Sequence, residues 1–208
     1  MPLTLPTLLR HHLSALRMLL VLTVITGVCY PLLITGIAHA AFPAQAAGSL
    51  IGGNGGSVGS RLIGQTFDLP GRGGKRGGPD PQWFQPRPSA AGPGYDPRSS
   101  GASNLGPNNP DLVRMIKERR AAVAAFDGVR PSRVPADALT ASGSGLDPHI
   151  SKAYAYQQVN RVAGARGLSP ATVRELIVRH VESRGGGFLG QGDAVNVVEL
   201  NRDVAGLR

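Results

Sequence analysis

Several chemically active motifs are missing from this sequence, and each absence excludes a class of protein. Cys29 is the only cysteine among 208 residues, so an intramolecular disulfide cannot form. His149 and His180 have no cysteine or histidine at ligand spacing, so no common zinc motif is present. The serines of the segment "SGSGLDPHIS" are not part of a G-x-S-x-G nucleophile elbow. These absences predict a chain with no bound metal and no cofactor.

A phosphate-binding loop is missing too. The segment "GRGGKRGGPDP" at 71–81 carries basic residues among glycines, but a Walker motif would need glycine where Leu69 stands and serine or threonine where Arg76 stands. We interpret the segment, with Arg72 and Lys75, as a mobile basic loop. Its composition resembles RGG nucleic-acid segments, but the extracytoplasmic location predicted below argues against a nucleic-acid partner.

Acidic residues are scarce relative to basic ones. The chain has 22 Lys and Arg against 13 Asp and Glu, which gives a formal net charge of +9. This is a basic chain but not a polycation. Its length leaves room for one membrane span and one domain of ordinary size, because domains usually run to about 100 to 150 residues.

One long apolar run stands out near the N-terminus. From Met18 to Ala38 there is no charged residue, and at about 1.5 Å per residue this run spans roughly the 30 Å hydrocarbon thickness of a bilayer. That length favours a permanent transmembrane helix, in which Pro31 is tolerated. However, Arg10, Arg17 and the "AHA" ending at Ala40 also suit a cleaved secretory signal.

The charges that flank the apolar run predict its orientation. Arg10 and Arg17 precede it, and the first basic residue after it is Arg61. Because Lys and Arg close to a span resist translocation, residues 1–17 should form a cytoplasmic stub. Residues 18–38 should then cross the membrane, and residues 39–208 should form an extracytoplasmic soluble domain.

The soluble part reads as one small, loop-rich α+β domain. Residues 48–109 are rich in Gly and Pro and suit loops with two short strands, whereas residues 110–208 show helical patterns and a C-terminal strand. Asn109, Ser151 and Ser169 are the expected helix caps. The predicted elements are a helix from Pro110 to Gly128, a helix from Ser151 to Gly167, a helix from Pro170 to Gly185, and a strand from Ala194 to Asn201.

The segment "SGSGLDPHIS" is the best candidate for catalysis. It places Ser142, Ser144, Asp147 and His149 near one another, which could suit a hydrolase with His149 as its base. Ser and Asp more commonly hydrogen-bond their own backbone in turns, and Asp-Pro begins a turn. We therefore predict a turn that leads into the helix capped by Ser151, and no catalytic residue.

A second polar group lies on the predicted helix that starts at Ser151. Gln158, Arg161 and Arg166 are spaced so that they share one face of that helix. Such a face is usually solvated, and otherwise it is a surface for a partner.

Seven segments together resemble one known family. They are "TGVCYPLLITGIAHAAFPAQAAGSLI", "SRLIGQTF", "FQPRPSA", "SGASNLGPNNP", "ASGSGLDPHIS", "QQVNRVAGARGL" and "VNVVELN". In this order they resemble the KdpC family, the C subunits of the high-affinity Kdp potassium-transporting P-type ATPase. The resemblance implies an accessory subunit that does not hydrolyse ATP itself. It also implies three partners: a channel-like potassium-binding subunit, a P-type ATPase subunit and a small single-span subunit.

The resemblance bears on the apolar run, because the family pattern begins inside it and continues past Ala40. A cleaved signal would not carry the pattern on both sides, so we interpret the run as a retained anchor. Within it, Gly27 and Gly36 are candidates for close packing against a partner helix.

The family is also described as a catalytic chaperone that raises the ATP affinity of the ATPase subunit. The resemblance suggests Asp147, His149, Gln158 and Arg161 as the residues concerned, with ATP as the ligand. The predicted topology conflicts with direct binding, because those residues would lie outside and ATP inside. The main alternative function is an anchored basic module that binds anionic envelope polymers.

Overall fold

A computed structural model of the chain describes residues 6–53, 56–71, 77–182 and 193–207. The chain divides after Ser49 into an N-terminal helical unit and a C-terminal α+β unit. The first unit contains α1 (Thr7–Val24), a π-helical turn (Ile25–Cys29), α2 (Tyr30–Ala41) and α3 (Pro43–Ala46). The second contains β1 (Leu50–Gly53), β2 (Gly56–Ser60), α4 (Pro110–Asp127), β3 (His149–Ser151), α5 (Lys152–Gln157), α6 (Val159–Arg166), α7 (Pro170–His180), β4 (Val181–Glu182), β5 (Ala194–Asn196) and α8 (Val197–Gly206).

The N-terminal unit consists mainly of one helix that is interrupted only by the π-helical turn. Its segment Leu9–Ala41 is 33 residues long and contains an 18-residue window with a mean hydropathy of 2.2, so by length and composition it can cross a membrane. Within the described ranges it is the one helix that can. The helix extends beyond the predicted span 18–38 at both ends. At the N-terminal end, Arg10 and Arg17 are good helix formers, although lipid cannot cover their charges.

The π-helical turn lies just before Pro31. The Tyr30 N–H donates to the Ile25 carbonyl oxygen five residues earlier, instead of to the usual acceptor four residues earlier. A proline ring in a regular helix clashes with the carbonyl four residues before it, which for Pro31 belongs to Gly27. The wider turn accommodates the proline without breaking the helix.

Two small antiparallel sheets organise the C-terminal unit. Strands β1 and β2 form a hairpin in which Leu50 pairs with Ser60. The second sheet has the order β3-β5-β4, with His149 opposite Asn196 and Val181 opposite Val195. This second sheet joins the loop that contains Asp147 to the C-terminal helix.

The core lies where α5 to α8 pack together with β3 and β5. Its fully buried side chains come from every one of these elements and from one loop residue, Phe84. They include Phe84, Ile150, Val159, Val162, Val173, Ile177, Val195, Leu200 and Val204. Burying these side chains is the main favourable term in the folding of this unit.

The predicted helix caps are confirmed. The side chains of Asn109, Ser151 and Ser169 accept hydrogen bonds from backbone N–H groups in the first turns of α4, α5 and α7. Gly128 and Gly167 end α4 and α6 in the left-handed conformation that glycine adopts easily. The helix predicted from Ser151 to Gly167 is present in two parts, which meet at Gln158.

Two predicted boundaries are wrong. The helix expected to reach Gly185 ends at His180, because Val181 and Glu182 pair with β5; residues 183–192 lie outside the described ranges. The strand expected from Ala194 to Asn201 ends at Asn196. The Asn196 side chain accepts hydrogen bonds from the N–H groups of Val198 and Glu199, so it caps a helix where the sequence suggested a continuing strand.

We predict that Asn196→Ala lowers the free energy of unfolding by about 1 to 2 kcal/mol, because it removes the cap of α8 and a bond from the Asn196 side chain to the Arg61 carbonyl oxygen. Urea unfolding of the full chain in detergent, followed by circular dichroism, measures the change. Asn196→Asp keeps the capping oxygen but replaces the amide donor to Arg61 with a buried carboxylate oxygen, so it should not restore the stability of the wild type. Equal stability of the alanine variant and the wild type would contradict the cap assignment.

Candidate functional site

The four residues suggested by the family resemblance lie in two separate places. Asp147 and His149 belong to the loop that leads into β3, whereas Gln158 and Arg161 lie at the junction of α5 and α6. No hydrogen bond or ion pair joins the two pairs in the described part of the chain. The structure therefore places them in two separate groups.

The Asp147 carboxylate organises the loop before β3. One oxygen accepts from the His149 backbone N–H at 2.9 Å and lies 3.0 Å from the His149 ring, and the other lies 3.3 Å from the Arg87 guanidinium. Partial burial alone would raise the pKa of this carboxyl group. The hydrogen bonds from His149 and the charge of Arg87 outweigh burial and hold the pKa below its ordinary value. Asp147 is thus an ionised turn residue.

Within the described residues, the serines of the loop before β3 form no hydrogen bond with His149. The Ser144 hydroxyl accepts from the Leu146 N–H at 3.1 Å and lies 3.4 Å from the Ser142 hydroxyl. Neither hydroxyl is hydrogen-bonded to His149 among the described residues. The second ring nitrogen of His149 lies 3.7 Å from a Glu182 oxygen, so His149 is positioned between the carboxylates of Asp147 and Glu182.

The Gln158 side chain is fully buried and forms hydrogen bonds with the loop that contains Gln85. Its amide oxygen accepts from the Gln85 N–H at 2.6 Å, and its amide nitrogen donates to the Gln85 carbonyl at 3.1 Å. Arg161 also donates to the amide oxygen. The amide therefore pairs with the backbone of residue 85 much as a neighbouring strand would.

Arg161 is buried as well, in an ion pair with Asp127. Its Nε lies 2.7 Å from an Asp127 oxygen, and the two side chains are only 6% and 1% exposed. The same guanidinium donates to the carbonyl oxygens of Pro81 and Trp83 at 2.8 and 2.9 Å. Arg166 stacks 4.2 Å from the centre of the Trp83 ring.

These contacts correct the prediction for the polar face of the second helix. Gln158, Arg161 and Arg166 do share one face, but loop residues 81–85 cover most of it: the Gln158 and Arg161 side chains are buried, and the partly exposed Arg166 donates to the Gln82 carbonyl oxygen. The physical reason is that an irregular loop has no regular ladder of backbone hydrogen bonds, so its buried N–H and C=O groups need side-chain partners.

Asn201 completes this arrangement, which we call the 81–85 clamp: Asp127, Gln158, Arg161 and Asn201. The Asn201 amide exchanges two hydrogen bonds of 2.9 Å with the backbone of Phe84. Sequence reasoning missed Asp127, Gln85 and Asn201. The one available signal was Asn201 itself, a polar residue directly after the largely apolar run "VNVVEL".

The two glycines in the membrane helix present small surfaces. A side-chain carbon built on Gly36 would meet no atom within 4 Å, and one on Gly27 would meet only Thr23 at 3.9 Å. They are nine residues apart, which is about two and a half helical turns. Gly27 lies within the π-helical turn, so the regular α-helical rotation does not apply between the two glycines, and each is a separate small surface.

The architecture combines one helix that can cross a membrane with one α+β unit built around a buried polar clamp. The sequence model of the family described as K+-transporting ATPase, c chain, KdpC, matches residues 12–205. The chain belongs to this family.

Several relatives are similar over nearly the whole chain, and all three below are called potassium-transporting ATPase KdpC subunit. The protein of Kineococcus radiotolerans is 53% identical over 97% of this chain and 96% of its own length. That of Sorangium cellulosum is 51% identical over 97% and 100%, and that of Koribacter versatilis is 45% identical over 95% of each chain.

We predict that Gln158→Ala lowers the free energy of unfolding by roughly 2 to 4 kcal/mol, because it leaves both backbone groups of Gln85 buried without a partner. The measurement is urea unfolding of the full chain without nucleotide. Asn160→Ala, an exposed change two residues away, is the matched control and should have almost no effect. If the two variants were equally stable, the clamp assignment would be wrong.

Proposed function

We propose that this chain is an accessory subunit of an ATP-driven, high-affinity potassium import complex, and that it supports assembly of that complex. The observation that carries the proposal is the family match over residues 12–205, together with relatives that are 45 to 53% identical and named for this role. The match covers the apolar helix and the α+β unit together, so the proposal concerns both.

In this proposal the helix is a retained anchor in the plasma membrane of a bacterial cell. The family match begins at residue 12, ahead of the apolar run, which supports retention. Arg10 and Arg17 keep the N-terminus in the cytoplasm, and the α+β unit lies outside. The partners are the channel-like potassium-binding subunit, the P-type ATPase subunit and the small single-span subunit. Gly27 and Gly36 offer two small surfaces for their helices.

We also propose that the subunit raises the ATP affinity of the ATPase subunit through conformational coupling between the two subunits, and not by contacting ATP itself. Two observations support this. The polar atoms of Gln158 and Arg161 are engaged with the 81–85 loop and with Asp127, so they are not available to a ligand. Asp147 and His149 are engaged in their own turn. Coupling requires only that the subunit bind one state of the ATPase better than another.

The proposed orientation can be tested with single cysteines in a Cys29→Ser background. Arg61 and Arg114 have side chains that are 59% and 63% exposed, so Arg61→Cys and Arg114→Cys should react with an impermeant maleimide in intact cells. His11→Cys, on the predicted cytoplasmic side, is the control and should react only after lysis. The reverse pattern would show that the orientation is inverted.

Membership of the complex can be tested by copurification from mild detergent on a tagged ATPase subunit, together with potassium-stimulated ATP hydrolysis. We expect Gly27→Leu and Gly36→Leu, made singly, to reduce retention of this chain, because each fills a different small surface. Ile34→Leu, at an exposed position of the same helix, is the control.

Two outcomes would contradict this membership. The proposed accessory role would be wrong if complexes that lack this chain entirely hydrolysed ATP at the full potassium-stimulated rate. A chain that failed to copurify but bound anionic envelope polymers would favour the alternative of a basic anchored module.

A further inference from the structure

A cleft of about 320 Å³ lies between helix α4 and loop residues 85–89. Its wall is mostly apolar and includes Pro86, Pro88, Val123 and Phe126. The Phe126 ring is held by Arg161, whose guanidinium carbon lies 4.4 Å from the ring centre. Small-molecule sites usually have this form: a concave, largely apolar pocket with a few polar groups.

The first polar group that points to a ligand is Tyr154, which lines the cleft and is 3% exposed. Its backbone N–H donates to Ser151, but no hydrogen bond within the described ranges uses its hydroxyl. The hydroxyl oxygen is not cut off from solvent, so a molecule in the cleft can reach it. Burial, and next the neighbouring charge of Asp127, raise the pKa of Tyr154 well above its ordinary value, so the hydroxyl keeps its proton and can donate.

The second polar group is Arg119, on α4. Its guanidinium donates to the Leu139 carbonyl oxygen at 2.9 Å, but none of the described carboxylates forms an ion pair with it. The other arginine of the cleft, Arg87, differs in this respect because Asp147 compensates its charge. Arg119 is therefore a partly buried cation with donor groups to spare, and an anion in the cleft would compensate it.

We propose that this cleft binds a small organic carboxylate with a short apolar body. The carboxylate accepts hydrogen bonds from the Arg119 guanidinium and the Tyr154 hydroxyl, and the apolar body packs against Pro86, Pro88 and Val123. Arg119 favours one negative charge beside it. The Asp68 side chain on the same wall weakens the attraction for every anion, and it therefore disfavours a phosphate dianion or a nucleotide more strongly than a single carboxylate. This site is independent of the proposed accessory role.

The test uses the full chain in nanodiscs of zwitterionic lipid, with 4-phenylbutyrate as the probe. Isothermal titration calorimetry should show saturable binding. The neutral 4-phenylbutanamide should bind at least about tenfold more weakly, because it cannot compensate Arg119. Acetate should also bind more weakly, because it has no apolar body. Amide binding as tight as that of the carboxylate, or no saturable binding of 4-phenylbutyrate, would overturn the proposal.

Two variants locate the bound probe. Arg119→Gln should weaken binding of 4-phenylbutyrate about tenfold, whereas Arg120→Gln, at the exposed neighbouring position, should leave it unchanged. Tyr154→Phe should weaken binding several-fold without lowering the melting temperature, since the hydroxyl has no protein partner to lose. Unchanged binding in both Arg119→Gln and Tyr154→Phe would place the probe elsewhere and reject the site.

Discussion

The buried ion pair between Asp127 and Arg161 is the interaction on which the α+β unit depends. Both side chains are almost wholly removed from water, so each charge is tolerable only while the other is present. The Arg161 guanidinium also donates to the Pro81 and Trp83 carbonyl oxygens and to the Gln158 amide, and the loop that contains Pro81 and Trp83 places Phe84 in the core. The same loop continues into Pro86, which forms part of the wall of the cleft. One buried pair therefore links helix α4, helix α6 and a long irregular segment.

Local features of the fold could be predicted from the sequence because they depend on neighbouring residues. Asn109, Ser151 and Ser169 cap helices through backbone groups two or three residues away, so the capping chemistry is visible in a short window. At Asn196 a short sequence window is not enough to predict the structure correctly. The β-branched residues next to Asn196 indicate a strand, but the same residues also suit one face of a helix. The Asn196 cap and the buried apolar face together favour helix α8.

The clamp could not be predicted because its contacts join distant parts of the chain. Gln158 pairs with the backbone of a residue 73 positions earlier, and Asn201 with one 117 positions earlier. Helical spacing correctly placed Gln158 and Arg161 on a shared face, but spacing gives no information about what covers that face. The Asp147 turn was predictable for the opposite reason, since its main bonds reach only to His149.

The difference between satisfied and unsatisfied polar groups gives a physical basis for separating structural from binding residues in this unit. In the clamp, Gln158 uses both atoms of its amide, and Arg161 bonds to Asp127 and to the 81–85 backbone, so a ligand there would have to displace protein contacts at a cost of several kcal/mol. In the cleft, Tyr154 and Arg119 have capacity left after the fold has formed. A ligand that used this capacity would replace no internal bond. Groups of the first kind hold the unit in one conformation, and groups of the second kind are where that conformation can respond to another molecule.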